Sequence, residues 1–189
     1  MDAEAAKAMI RSAFAGVEYP GDWCLRGSNE GDEPYLLEQE FKGKTDWSTL
    51  DPVFLDRAPD GYATALSFFS DEAFRFYLPA YLIADIDGRL KSTHPVFHLT
   101  HGLTDSGGEV KVNPRRYGER TWFEEASHKL AVFDKAQAAA IVAFLEFKSE
   151  ADEFERENIR QALANFWRRR ATAANPDPNA AHDPGERGV

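Results

Sequence analysis

From Asp134 to Asn175 the chain runs without a single glycine or proline. Those two residues are the strongest helix breakers, so a stretch this long without them commits much of the chain to helix. Asp134 opens the segment. Gln137, Ala138, Ala140, Ile141, Phe144, Leu145 and Lys148 then follow the spacing of an amphipathic helix. A break or bend is expected near Ser149 to Asp152. The continuation carries Phe154, Ile159, Leu163, Phe166 and Trp167, and it closes on Arg168, Arg169 and Arg170, whose cations complement the negative end of the helix dipole. Past about Ala171 the composition turns to Ala, Asn, Pro, Asp and Gly, so residues 171–189 are expected to be a disordered tail.

The remaining helices announce themselves by their ends. Asp2 caps a first helix to about Val17, with Met9, Ile10, Phe14 and Val17 as its apolar stripe. Gly21 to Glu33 reads as an exposed loop pinned to the core by Trp23 and Leu25. Pro34 then starts a helix ended by Gly43. A short helix is expected around Pro52, and Pro59-Asp60-Gly61 reads as a turn. Ser70, followed by Asp71 and Glu72, caps the strongest local signal. There Phe74, Leu78 and Tyr81 share a face, with Tyr77 and Leu82 beside them. Pro79, inside this pattern, is expected to kink or break the helix.

Pro95 to Thr100 alternates weakly and contains Val96, Phe97 and Leu99, which predicts a short strand. Lys111 and Val112 would pair with it. His101 to Gly118 is polar and glycine-rich and reads as a long surface loop. The sequence therefore predicts a mainly α fold, α+β at most. Residues 1–170 form one compact helical domain with a short strand or hairpin near 95–112 and a long C-terminal helix.

Composition narrows the function classes. The net charge is −10 and the sequence pI is near 5.0, a surface that repels phosphate backbones and argues against direct nucleic-acid binding. The same surface keeps a protein soluble and speeds encounter with a basic partner. No run of about 18 apolar residues occurs, so no membrane-spanning helix is expected. The start Met1-Asp2-Ala3-Glu4 lacks the basic and apolar parts of a secretory signal. Cys24 is the only cysteine, which excludes an intrachain disulfide and suits a reducing, cytoplasmic setting.

The one candidate metal cluster is His94, His98 and His101, with Asp85 or Asp87 as added ligands. In a helix the three histidines would share a face, whereas a strand points His94 and His98 one way and His101 the other. The bland alternative is one packed His98 flanked by two exposed histidines. No serine elbow, phosphate loop or zinc-protease pattern is present. Ser70 is explained as a cap, and the paired acids Glu38/Glu40, Glu124/Glu125 and Asp152/Glu153 read as solvated faces. Among the aromatic residues, Tyr77, Tyr81 and Trp122 are candidates to line a groove or interface. Phe154 and Trp167 are candidates to pack on a partner or a second copy, with burial in the core as the alternative.

The run Phe68-Phe69-Ser70-Asp71-Glu72-Ala73-Phe74-Arg75-Phe76-Tyr77-Leu78-Pro79-Ala80-Tyr81-Leu82 resembles an uncharacterised bacterial family, the domain-of-unknown-function family numbered 6714. Trp47-Ser48-Thr49-Leu50, Phe97-His98-Leu99-Thr100 and the stretch Gln137 to Leu145 support the resemblance, which spans roughly residues 5 to 148. It implies no activity, cofactor or site residue. By analogy of class, small acidic bacterial domains of this sort resemble immunity proteins that neutralise a toxin.

The reading that follows is a non-enzymatic protein-binding domain with an acidic binding surface, such as an immunity protein or toxin inhibitor facing a basic effector, and with no cofactor. Two alternatives stand beside it: a metal-dependent enzyme built on the histidine cluster, and a structural homodimer built on the Phe154–Trp167 segment.

Overall fold

The computed structural model describes residues 1–58 and 65–173. In chain order the helices are α1 (Ala3–Phe14), α2 (Glu33–Phe41), α3 (Pro52–Arg57), α4 (Ala65–Phe68), α5 (Asp71–Ile86), α6 (Pro95–Thr100), α7 (Pro114–Tyr117), α8 (Trp122–Leu130), α9 (Lys135–Ala151), α10 (Arg156–Ala162) and α11 (Arg168–Thr172). A π-helical turn, Leu163–Trp167, joins α10 to α11. No strand forms among the described residues. Two isolated antiparallel bridges, Arg26 to Phe69 and Lys111 to Thr121, tie loops to helix ends. The fold is mainly α, as the periodicity predicts.

Caps fix the helix starts. The Asp2 carboxylate accepts from the Ala5 N–H at 2.8 Å, Asp51 from Val53 at 2.9 Å and Ser70 from Ala73 at 3.0 Å. Thr121 with Glu124, and Asp134 with Gln137, close reciprocal capping boxes on α8 and α9. The second box is clamped from outside, because Arg75 Nε on α5 donates to Gln137 Oε1 at 2.8 Å.

Helix α5 is the central rod. Its buried positions include Phe74, Phe76, Tyr77, Leu78, Ala80, Tyr81 and Leu82, which surround the axis instead of forming one stripe. α1 and α9 pack along it, and α11 lies on α9. Two aromatic clusters fill the interior. Phe41 meets Phe54, Phe69 and Tyr77 at centroid distances of 5.0, 4.8 and 4.9 Å. Phe133 meets Phe14, Phe74 and Trp167 at 6.1, 5.9 and 5.9 Å. Each such pair adds about 0.5–1.5 kcal/mol beyond the area it buries.

Several expectations are corrected. Pro95 to Thr100 is a helix, not a strand, because Pro95 occupies the first helical turn, where its missing N–H costs nothing. Lys111 bridges Thr121 instead of that segment. The expected loop from His101 to Gly118 holds a 3-10 turn, Asp105–Gly108, and α7. α5 continues unbroken through Pro79, with neighbours packed against it on all sides. The C-terminal helix is divided at Asp152, where the break was expected. Trp23 does not pin its loop: it is 85% exposed, while Leu25 is fully buried. The Pro59-Asp60-Gly61 turn and most of the expected tail lie outside the described residues, though α11 reaches Thr172.

Candidate functional site

The short helix α6 positions the histidines. His94 is its N-cap residue and exposed, His98 is on its last turn and half-buried, and His101 is its C-cap residue. His101 stacks on the Phe97 ring at 4.8 Å and meets the Trp122 ring edge-on at 4.7 Å. Trp122 comes from the start of α8, whose next two turns supply Glu125 and Lys129 on the same side. Gly102 allows the close approach of the two helices. Its φ is +80°, and a Cβ there would sit 2.6 Å from the Trp122 carbonyl oxygen.

Between α6 and α8 lies an open groove of about 400 Å³, lined by Ser67, Phe97, His98, His101, Trp122, Glu125, Ala126, Lys129 and Leu130. Burial lowers the His98 pKa to about 4, with the Lys129, His101 and His94 charges acting in the same direction. Burial also lowers His101. Both imidazoles are therefore neutral at pH 7, each with one N–H donor and one acceptor. The Lys129 ammonium lies 4.9 Å from the centre of the buried Phe74 ring. Desolvation there lowers its pKa, against the opposing pull of Asp71 and Glu125. The Glu125 carboxylate is held by Arg120 Nη1 at 2.9 Å. Asp71 is raised, chiefly by its own burial.

The candidate ligands of a metal do not converge. Among the described residues no group of three or more His, Cys, Asp or Glu side chains is placed to hold a metal ion. Asp87 Oδ1 is taken by Lys7 Nζ at 2.6 Å, and Asp85 Oδ2 lies 3.0 Å from Lys148 Nζ. That second contact is an ion pair without hydrogen-bond alignment. The candidate interface residues divide. Tyr77, Tyr81 and Trp167 are fully buried and belong to the core, because other helices pack around α5 and the Trp167 indole N–H bonds the Leu99 carbonyl inside the fold. Trp122 is half-buried and lines the groove.

Phe154 is the reverse case. It is 88% exposed at the corner between α9 and α10. Asp152 Oδ1 accepts from its backbone N–H at 2.9 Å and from that of Glu155 at 3.3 Å, which fixes the corner. Glu150, Asp152, Glu153, Glu155 and Glu157 surround the ring in sequence. Glu153 reaches only a distant Arg156, 3.7 Å away, and its side chain stays 91% exposed.

The sequence reading did not single out Lys129 or Ser67, and it read Glu125 as part of a solvated face, whereas Glu125 lines the groove. The spacing of Trp122, Glu125 and Lys129, three and then four residues apart, is the signal that places them on one helical face.

A family model described as a family of unknown function (DUF6714) matches residues 2–171. The match extends past the span of the sequence resemblance and takes in α10 and most of α11. No curated protein and no solved structure matches the chain. Among the described residues, no helix is long and apolar enough to cross a membrane.

Proposed function

We propose, from the premise that this chain belongs to the DUF6714 family, that it is a non-enzymatic protein-binding domain whose partner is basic. The carrying observation is Phe154, a phenyl ring 88% exposed on a turn fixed by Asp152, with Glu150, Asp152, Glu153, Glu155 and Glu157 near it in sequence. A single exposed apolar residue is ordinary on a protein surface. A rigidly presented aromatic ring within an acidic surround has the composition of an interface anchor: the ring fills a pocket and the charges steer encounter. The overall charge of −10 acts in the same direction. Neutralisation of a basic toxin or effector, the role of an immunity protein, is the form of this function that the charge favours.

Titration calorimetry against candidate basic effectors is the test. A tight complex should weaken as salt rises, because exposed charges are screened over about 8–10 Å at physiological ionic strength. Phe154→Ala should weaken the complex at least about tenfold, as for an interface hot spot, with the melting temperature unchanged. A Phe154→Ala protein that binds its partner at full strength would remove the basis of the proposal.

A further inference from the structure

We propose that the groove between α6 and α8 binds a small aromatic carboxylate, its carboxylate group against the Lys129 ammonium and its ring against Phe97, His101 and Trp122. The site is separate from Phe154 and independent of the partner-binding reading. Its volume of about 400 Å³ lies within the range of small-molecule sites, roughly 300–1,000 Å³.

The groove joins two features that select this class of ligand. The first is a set of flat surfaces. Phe97 is 52% exposed and stacks on His101, and His101 in turn meets Trp122, so three rings form a continuous wall. Such a wall takes an aromatic ring in stacked or edge-on contact. The second is a cation that sits over the Phe74 ring without an ion-pair partner. Lys129 forms no ion pair among the described residues, although acidic groups outnumber basic ones in the chain, 32 to 22. Glu125, the acid that lines the groove, is engaged by Arg120. Asp71 faces Lys129 from α5 but makes no close contact with it. A partly desolvated ammonium without a counter-ion gains most from an anionic ligand. Ser67, His98 and His101 line the same groove, and a hydroxyl and neutral imidazoles are groups that can donate to a second carboxylate oxygen.

The test uses three ring compounds of matched shape: phenylacetate, 2-phenylethanol and 2-phenylethylamine. Each is titrated into the full-length protein and followed by calorimetry and by the NMR shifts of the Trp122 indole N–H. Phenylacetate should bind saturably, about tenfold or more tighter than the alcohol, with the amine weakest. Lys129→Met should reduce phenylacetate to the affinity of the alcohol and leave the alcohol unchanged. Trp122→Ala should weaken both. Thermal melts of each variant separate loss of binding from loss of fold, and Phe154→Ala should bind phenylacetate as the native chain does. The proposal is overturned by equal binding of acid and amine, by an unchanged phenylacetate affinity in Lys129→Met, or by no saturable binding of phenylacetate up to on the order of 10 mM.

Discussion

The indole N–H of Trp167 donates to the carbonyl of Leu99 at 2.7 Å, across 68 residues of sequence. Leu99 lies in the last turn of α6, where carbonyls have no partner within the helix. The bond therefore satisfies a buried acceptor and anchors α6, with its histidines, to the C-terminal segment. Trp167 reaches it because the turn from Leu163 to Trp167 is π-helical, which rotates the side chains away from an α-helical register. Trp167→Phe should cost about 2–4 kcal/mol, the sum of an unsatisfied carbonyl and the lost ring volume. Chemical denaturation measures it. A loss below about 0.5 kcal/mol would mean that Leu99 finds another donor.

Two tyrosines on α5 should respond oppositely to loss of the hydroxyl. Tyr77 donates to the Lys44 carbonyl at 2.8 Å. Tyr81 is fully buried and its hydroxyl has no hydrogen-bond partner among the described residues. Burial raises the pKa of both phenols, so both are neutral at any ordinary pH. Tyr77→Phe should destabilise by about 1 kcal/mol, while Tyr81→Phe should stabilise by a similar amount, since an unmade buried hydrogen bond is a cost in the native state. Paired denaturation curves decide the signs.

The pH dependence of stability should carry the signature of His98. Its folded pKa, about 4, lies below the ordinary value of 6.5. Between those values the unfolded chain binds a proton that the folded chain refuses. The stabilising contribution is therefore complete above about pH 6.5 and declines as pH falls toward 4, by at most about 3 kcal/mol. His98→Gln should flatten this part of the curve. Denaturation midpoints from pH 7 to 5 for the two proteins would show it, and parallel curves would place His98 in contact with water.

What the sequence disclosed follows from where its signals are local. Caps at Asp2, Ser70 and Asp134 were readable because a cap and its target lie within three residues. The break near Asp152 was readable from its polar neighbours. α6 was not, since six residues with Val96, Phe97 and Leu99 satisfy a strand period as well as a helical one, and Pro95 at the first turn was the deciding signal. Tyr77 and Tyr81 were ambiguous between core and interface because burial depends on what packs around α5 from distant parts of the chain. The groove was legible only in pieces. His98, His101 and Trp122 stood out by type, and helical spacing ties Lys129 to Trp122, but the meeting of that α8 face with the α6 histidines beside Gly102 is a tertiary contact that no spacing rule reveals.

That crossing gives a last prediction. Gly102 has φ +80°, and a Cβ would meet the Trp122 carbonyl oxygen at 2.6 Å and the Ala126 Cβ at 3.0 Å. Gly88, just past the end of α5, has φ +65° with nothing within 4 Å. Both substitutions force alanine into a left-handed conformation, at about 1 kcal/mol each. Only Gly102→Ala adds a backbone clash, which must push α8 away from α6. Gly88→Ala should thus cost about 1 kcal/mol and Gly102→Ala about 3 kcal/mol or more. The second should also disturb the edge-on contact of His101 with Trp122, seen as a shift of the Trp122 indole resonance. Equal losses in the two melts would show that the helices separate without strain, and that the groove is not held by this contact.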